Sequence, residues 1–280
     1  MGRDAEPGAV SGAGTRTTIC RGAGGEQRTP PTVLHEERSE LARSCAGTPK
    51  RGSLRAIILA GGRGTRLAGY PKSLIPFGTW RLIDIQLAAL SAAGLERPIV
   101  VGGPGGEEIE GRVPDGHFIM TGPTLTAMGS RGTLIAGLRA AGRGTDVLIV
   151  HGDVMFHPGV INGILESESP CSCLVRSGVE HGKPQARVVD GWVVELGAEG
   201  DCTYMGILRM SAEAAEDALA QCNVIDVADY MVAVSLIMRE YPCEPVEVER
   251  YPIIDIDTQQ DSLVAHRDIF PMVKGGIGLL

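Results

Sequence analysis

Ala56 to Pro76 reads AIILAGGRGTRLAGYPKSLIP. Its opening run, Ala56-Ile57-Ile58-Leu59-Ala60, is continuously apolar and predicts a buried strand. The run breaks into Gly61-Gly62-Arg63-Gly64-Thr65-Arg66. Glycines let the backbone approach a ligand without a Cβ in the way, and successive free N–H groups hold an anion. Arg66 and Lys72 add side-chain positive charge close by. Glycines and two cations after a first strand predict a nucleoside triphosphate site. The common phosphate motifs are absent. Lys72-Ser73 is preceded by Tyr70-Pro71 rather than by the P-loop glycine, and Gly62-Arg63-Gly64 is followed at the third position by Leu67, where a dinucleotide fingerprint has glycine. P-loop hydrolysis and dinucleotide binding both lose ground. Tight turns are also glycine-rich for steric reasons alone, so the rest of the chain has to supply the chemistry.

Downstream, strands and helices alternate. Leu82 to Leu90 has apolar residues at helical spacing, with Gly94 as a stop; Ile99-Val100-Val101 and Phe118-Ile119-Met120 read as strands; Thr133 to Ala141 is helical; Val147 to Val150 is a buried strand running into His151-Gly152-Asp153. This alternation predicts an α/β fold, Rossmann-like, with a mostly parallel mixed sheet flanked by helices. Ligands of such sheets bind beyond the carboxyl ends of the strands, where both the glycine loop and Asp153 fall. The second half differs. Cys171 to Val175, Ala186 to Val189, Trp192 to Leu196 and Tyr204 to Met210 read as short strands, with Asp190-Gly191 as a hairpin turn. Helices are expected at Ala212 to Leu219, capped by Ser211, and at about Val227 to Arg239. Ile253 to Ile256 is an apolar strand, and Thr258 opens the last helix with Asp261 three residues on as its capping partner.

Composition bounds the rest. A net charge of -8 argues against a nucleic-acid partner. No apolar run reaches membrane-spanning length, and the N-terminus lacks a signal-peptide core, so no membrane association is expected. The 7 cysteines are odd in number and scattered, which reads as reduced thiols in a cytoplasmic setting. Residues 1–52, rich in Gly, Arg, Thr, Pro and Glu, predict a disordered extension; 53–270 form one domain without an internal linker, and 271–280 a C-terminal tail. A homodimer stays open.

Acidic residues at strand ends are the second chemical signal. Asp153 follows one strand, and Asp255 and Asp257 share a side of another, because the side-chain period is two. Carboxylates converging beside a triphosphate would bind Mg²⁺, a hard ion that prefers oxygen ligands. Either of the last pair can equally be a helix cap.

The stretch AIILAGGRGTRL, then PKSLIP, resembles the opening signature of nucleotidyltransferases that activate phosphorylated small molecules, the sugar-1-phosphate and phosphocholine enzymes among them. The resemblance continues in Gly152-Asp153 and in Ile254-Asp255-Ile256-Asp257-Thr258-Gln259-Gln260-Asp261, and extends through Tyr204-Met205-Gly206-Ile207. The closing stretch is more similar to the phosphocholine, inositol-phosphate and phosphonate cytidylyltransferase branch. The resemblance implies a nucleotide-diphospho-sugar transferase type of fold, GT-A-like, and a nucleotidyltransferase domain at 53–270. It implies that an acceptor's phosphate or phosphonate oxygen attacks the α-phosphorus of an NTP, CTP being favoured, and that pyrophosphate leaves.

On that resemblance, Arg66 and Lys72 are the catalytic cations. Leu59, Ala60, Gly61, Gly62, Gly64, Thr65, Ser130 and Thr133 hold the nucleotide, and Asp153, Asp257 and Asp255 hold Mg²⁺. Arg131, Tyr204, Asp226 and Asp229 are weaker candidates for the acceptor. The segment Ala127 to Gly132 lacks the paired asparagines often found there in the phosphocholine branch, so the base stays open. Aromatics are only 4%, which disfavours choline, since a quaternary ammonium wants an aromatic cage. Two rivals remain: a sugar-1-phosphate uridylyl-, thymidylyl- or guanylyltransferase, and a non-catalytic nucleotide-binding sensor. The sensor is disfavoured because Arg66, Lys72, Asp153 and Asp257 are all present.

Overall fold

The computed structural model describes residues 54–62, 70–113, 117–247 and 249–278. The expected N-terminal extension and Gly64, Thr65 and Arg66 of the glycine loop lie outside the described residues.

Four strands run parallel: β1 (Leu54–Ala60), β2 (Ile99–Gly102), β3 (Phe118–Met120) and β4 (Asp146–His151), in the spatial order β3-β2-β1-β4. β1 is central, with Ile57 opposite Ile99 on one side and Ile149 on the other. The second half of the chain adds β5 (Cys171–Ser177), β6 (Gln185–Val189), β7 (Trp192–Gly197), β8 (Cys202–Met210) and β9 (Cys243–Val246). β8 runs antiparallel to β4 and to β5, β9 lies parallel beyond β5, and the β6–β7 hairpin joins the start of β8. The sheet is therefore mixed, with its four parallel strands on one side and the antiparallel strands on the other; the alternating pattern predicts such a mixed sheet. At the hairpin, Asp190 and Gly191 have φ of 52° and 83°, the paired positive values that a two-residue turn between twisted strands needs.

The alternation of side chains along β1 assigns the two helical layers. Ile57 faces a core built with Leu134 and Leu138 of α2 (Gly129–Ala141), Ala218 of α4 (Ala212–Val224) and Ile237 of α5 (Tyr230–Glu240). Ala56, Ile58 and Ala60 face a second core with Ile83 and Leu90 of α1 (Leu82–Ala92) and Ile161 and Ile164 of α3 (Pro158–Leu165). Each fully buried side chain of this size stabilises the fold by roughly 1.5–3 kcal/mol. Among the described residues no helix is long and apolar enough to cross a membrane. Cys171, Cys173, Cys222 and Cys243 are free and buried, and Cys202 is buried.

The structure departs from the sequence reading in several places. Helix α3 had no expected counterpart. The strand at Ile253–Asp255 leaves the main sheet and pairs instead with Val154–Phe156 as a separate antiparallel ribbon. The helical C-terminus also runs past residue 270: α6 (Gln259–Val264) passes through a π-helical turn, Ala265–Ile269, into α7 (Phe270–Gly276). Val273 of α7 is completely buried in a third core with Ile75, Phe77, Leu82 and Ile85. Residues assigned to a tail thus help to hold up the segment that follows Lys72.

Candidate active site

The site is assembled where β1 and β4 end. After His151 the chain turns at Gly152, whose N–H donates to the Leu59 carbonyl at 3.0 Å and whose carbonyl accepts from Ser73 Oγ at 2.9 Å. A Cβ at residue 152 would lie 2.8 Å from both Ala60 Cα and Leu59 O, so only glycine lets these chains meet. This seam draws the short 3-10 turn Lys72–Leu74 against the end of β4. Lys72 Nζ then reaches Asp153 Oδ2 at 2.8 Å and makes a short bond to Asp257. The ribbon completes the arrangement. Asp255 stands opposite Val154, and the Ile256 N–H donates to the Asp153 carbonyl at 2.9 Å, which aligns the two acidic segments. Thr258 and Asp261 form the expected capping box, and Asp261 also accepts from the Asp257 N–H at 2.9 Å.

Asp153, Asp255 and Asp257 offer three carboxylate oxygens lying within 4.8 Å of one another. Crowding and burial decide the ionisation of Asp255 and Asp257. Burial first, then the Asp153 and Asp257 charges, push the Asp255 carboxyl up to about 8. Burial also works against Asp257, but Lys72 and Lys183 outweigh it and hold this carboxyl below its ordinary value. Desolvation opposes the Lys72 ammonium, while Asp153 and Asp257 more than compensate and keep it charged. Lys183, which the sequence reading did not single out, donates to the Asp255 carbonyl at 2.8 Å and to Asp257 Oδ2 and Asp261 Oδ2, both at 3.1 Å. It sits in the β5–β6 connection, where no spacing or motif marks it.

A cavity of about 470 Å³ opens beside this cluster, within the range of roughly 300–1,000 Å³ usual for small-molecule sites. Leu59, Gly61, Gly62, Ser130, Thr133 and Asp153 line it, so five of the expected nucleotide-binding residues line one cavity with a carboxylate of the acidic cluster. Ala60 is buried in the sheet and does not line it. Gly64, Thr65 and Arg66 fall outside the described residues. Thr121, Thr126, His151 and Tyr230 join the lining without having been expected there. His151 Nε2 makes a short bond to the Tyr230 hydroxyl, which also meets the Tyr204 hydroxyl at 3.3 Å. Burial pushes His151 below its ordinary value and both phenols above theirs, so this chain is uncharged.

The four acceptor candidates do not line the cavity, because each has other work. Arg131 is buried between α2 and α4, donating to the Cys222 carbonyl at 3.4 Å and pairing with Asp226 at 3.9 Å. Tyr204 lies beneath Tyr230 with 1% exposure. Asp226 is exposed outside the cleft, and Asp229 caps α5 by accepting from the Met231 N–H.

The family model for the MobA-like NTP transferase domain matches residues 56–201. The chain belongs to that family. The bifunctional protein GlmU of Parvibaculum lavamentivorans is 46% identical over 55 residues, a match that spans 19% of this chain and only 12% of that protein. Two solved structures share the fold. An inositol-1-phosphate CTP transferase from T. maritima aligns with a TM-score of 0.65 at 17% identity, covering 80% of this chain and 98% of that one. A putative glucose-1-phosphate thymidylyltransferase from Bacillus anthracis aligns with a TM-score of 0.63 at 15% identity, covering 77% and 96%.

Proposed function

We propose that this chain transfers a nucleoside monophosphate, CMP foremost, from an NTP to a small phosphate or phosphonate acceptor and releases pyrophosphate. The observation that carries this is Lys72 bound to both Asp153 and Asp257 beside the cavity that Gly61 and Gly62 line. In this reading the Gly61 and Gly62 backbone cradles the phosphates. Leu59, Ser130 and Thr133 face the nucleoside. Lys72 neutralises charge at the attacked phosphorus as a compact point charge. Arg66 holds the leaving pyrophosphate. The acceptor oxygen forms its bond to the α-phosphorus as the bond from that phosphorus to the bridging oxygen breaks. No covalent enzyme intermediate is needed, so catalysis is positioning and charge stabilisation.

The donor set of Asp153, Asp255 and Asp257 fits Mg²⁺, because three convergent carboxylate oxygens are hard ligands for a hard ion. Bound there, Mg²⁺ supplies charge neutralisation on the triphosphate. The preference for CTP is supported by the stretch Ile254 to Asp261, which is similar to the cytidylyltransferase branch. Four free, buried thiols support a cytoplasmic setting.

The test is to incubate the full chain with Mg²⁺, each NTP and a panel of acceptors, and to measure pyrophosphate. The panel holds inositol 1-phosphate, phosphoethanolamine, an alkylphosphonate and glucose 1-phosphate. Release with CTP and a phosphate or phosphonate is expected. Release only with UTP, dTTP or GTP and the sugar phosphate would assign the sugar branch. Silence with every pair would leave a nucleotide-binding sensor.

A further inference from the structure

We propose that Gln86 is the positioning residue of this site: its buried amide fixes the turn that carries Asp153, and with it the contact between Asp153 and Lys72. The catalytic consequence rests on the function proposed above; the positioning itself does not.

The buried face of α1 is otherwise Leu82, Ile83, Ile85, Ala89 and Leu90. Gln86 interrupts it with a completely buried amide. A polar side chain at such a position destabilises the fold unless it is hydrogen-bonded. Gln86 is bonded at one end only. Its Nε2 donates to the His151 carbonyl at 2.7 Å and to the Val154 carbonyl at 2.8 Å, while Oε1 meets no partner among the described residues. A leucine would serve the packing of α1 better. What the amide supplies is a clasp on residues 151 and 154, the entry and exit of the turn through Gly152 and Asp153. Both contacts are carbonyl oxygens, and a primary amide nitrogen carries two protons, so this end of a glutamine suits both at once.

The other two carbonyls of the turn are held as well. Gly152 O accepts from Ser73 Oγ and Asp153 O from the Ile256 N–H, both at 2.9 Å. Four successive carbonyls are thus tied to α1, to the turn Lys72–Leu74 and to the acidic segment after the Ile253–Asp255 strand. Of these three, α1 alone contributes no carboxylate or lysine to the cluster. Ser73 follows Lys72 directly, so the place of the turn also sets the place of Lys72, whose Nζ lies 2.8 Å from Asp153 Oδ2. The hydrogen bonds of Gln86 go to backbone alone, so it acts on both side chains through the main chain that carries them.

Lys72 reports the position of Asp153 without turnover. Its acetylation by acetic anhydride in the metal-free full chain is mapped by mass spectrometry and normalised to Lys274. Gln86→Met keeps the length of the side chain and removes the donors. It is expected to speed Lys72 labelling at least ~3-fold, a modest part of one charge-assisted hydrogen bond. Leu90→Val, one helical turn on in the same buried face, should lower the melting temperature and leave Lys72 at the wild-type rate. With the NTP and acceptor pair that wild type uses, Gln86→Met should lower kcat at least ~10-fold, the scale of losing the support behind a metal-binding side chain, with KM for the NTP within about twofold. One measurement needs no variant and covers a methionine chain that does not fold: by 1H–15N NMR, both protons of the wild-type Gln86 side-chain amide should resist exchange with solvent. The proposal is overturned by Lys72 labelled no faster in Gln86→Met or equally fast in Leu90→Val. It is overturned too by an unchanged kcat, by a change in KM alone, or by a Gln86 amide that exchanges like an exposed one. If wild type turns over no pair, labelling and exchange still decide the positioning, and only the reaction is lost.

Discussion

Lys72 is held between Asp153 and Asp257 with only 16% of its side chain exposed. Removing it leaves two partly buried carboxylates without their main counter-charge. Lys72→Ala is therefore expected to lower turnover by at least ~100-fold, the scale of losing one preorganised charge contact, and Asp257→Asn by a similar factor. Pyrophosphate release under saturating substrates measures both, and near-normal rates in either variant would remove that residue from the mechanism. The cysteines give a prediction of the opposite kind. Burial pushes the Cys171 thiol up to about 12 and the Cys222 thiol to about 11, so neither forms appreciable thiolate near neutral pH. Peptide mapping after iodoacetamide should find both unmodified in the native protein and modified after denaturation. Native labelling of either at the denatured rate would contradict their burial.

At the scale of elements, the glycine at the end of β4 matters more than any helix. Gly152→Ala places a methyl group against backbone atoms of Leu59 and Ala60 that cannot move without parting β1 from β4. A cost of about 1–3 kcal/mol is expected from such overpacking. Activity should fall further than stability, because the same seam carries Lys72 toward Asp153. Thermal melting and pyrophosphate release on the same preparation separate the two effects; an active variant with unchanged melting would show that the seam can relax. The local sequence already announced the caps of α4 and α6, because Ser and Thr caps act on neighbouring N–H groups. The ribbon of Val154–Phe156 with Ile253–Asp255 was not legible, since nothing local says which distant strand will pair.

At the scale of the molecule, α7 closes the third core beneath the turn that presents Lys72. Deleting residues 270–280 removes Phe270 and Val273 from the third core and opens the packing around Ile75 and Phe77. Loss of one fully buried valine alone is worth roughly 1.5–3 kcal/mol. At ~2–4 °C per kcal/mol for a domain of this size, the melting temperature should drop by at least about 3 °C, with activity reduced as well. An unchanged melting curve would return these residues to the status of a tail.

The sequence by itself determined the α/β alternation, the parallel strands of the first half, the glycine-rich strand end and the order of Lys72, Asp153, Asp255 and Asp257 along the chain. These follow from periodicity and from side-chain chemistry at strand ends, which are local properties. Only the tertiary structure decided that Lys183 joins them, and that Arg131, Asp226 and Asp229 do not line the cavity. A charged residue in a loop has no local signature for its partner. Its partner is chosen by which strand ends the folded sheet brings within a few ångströms.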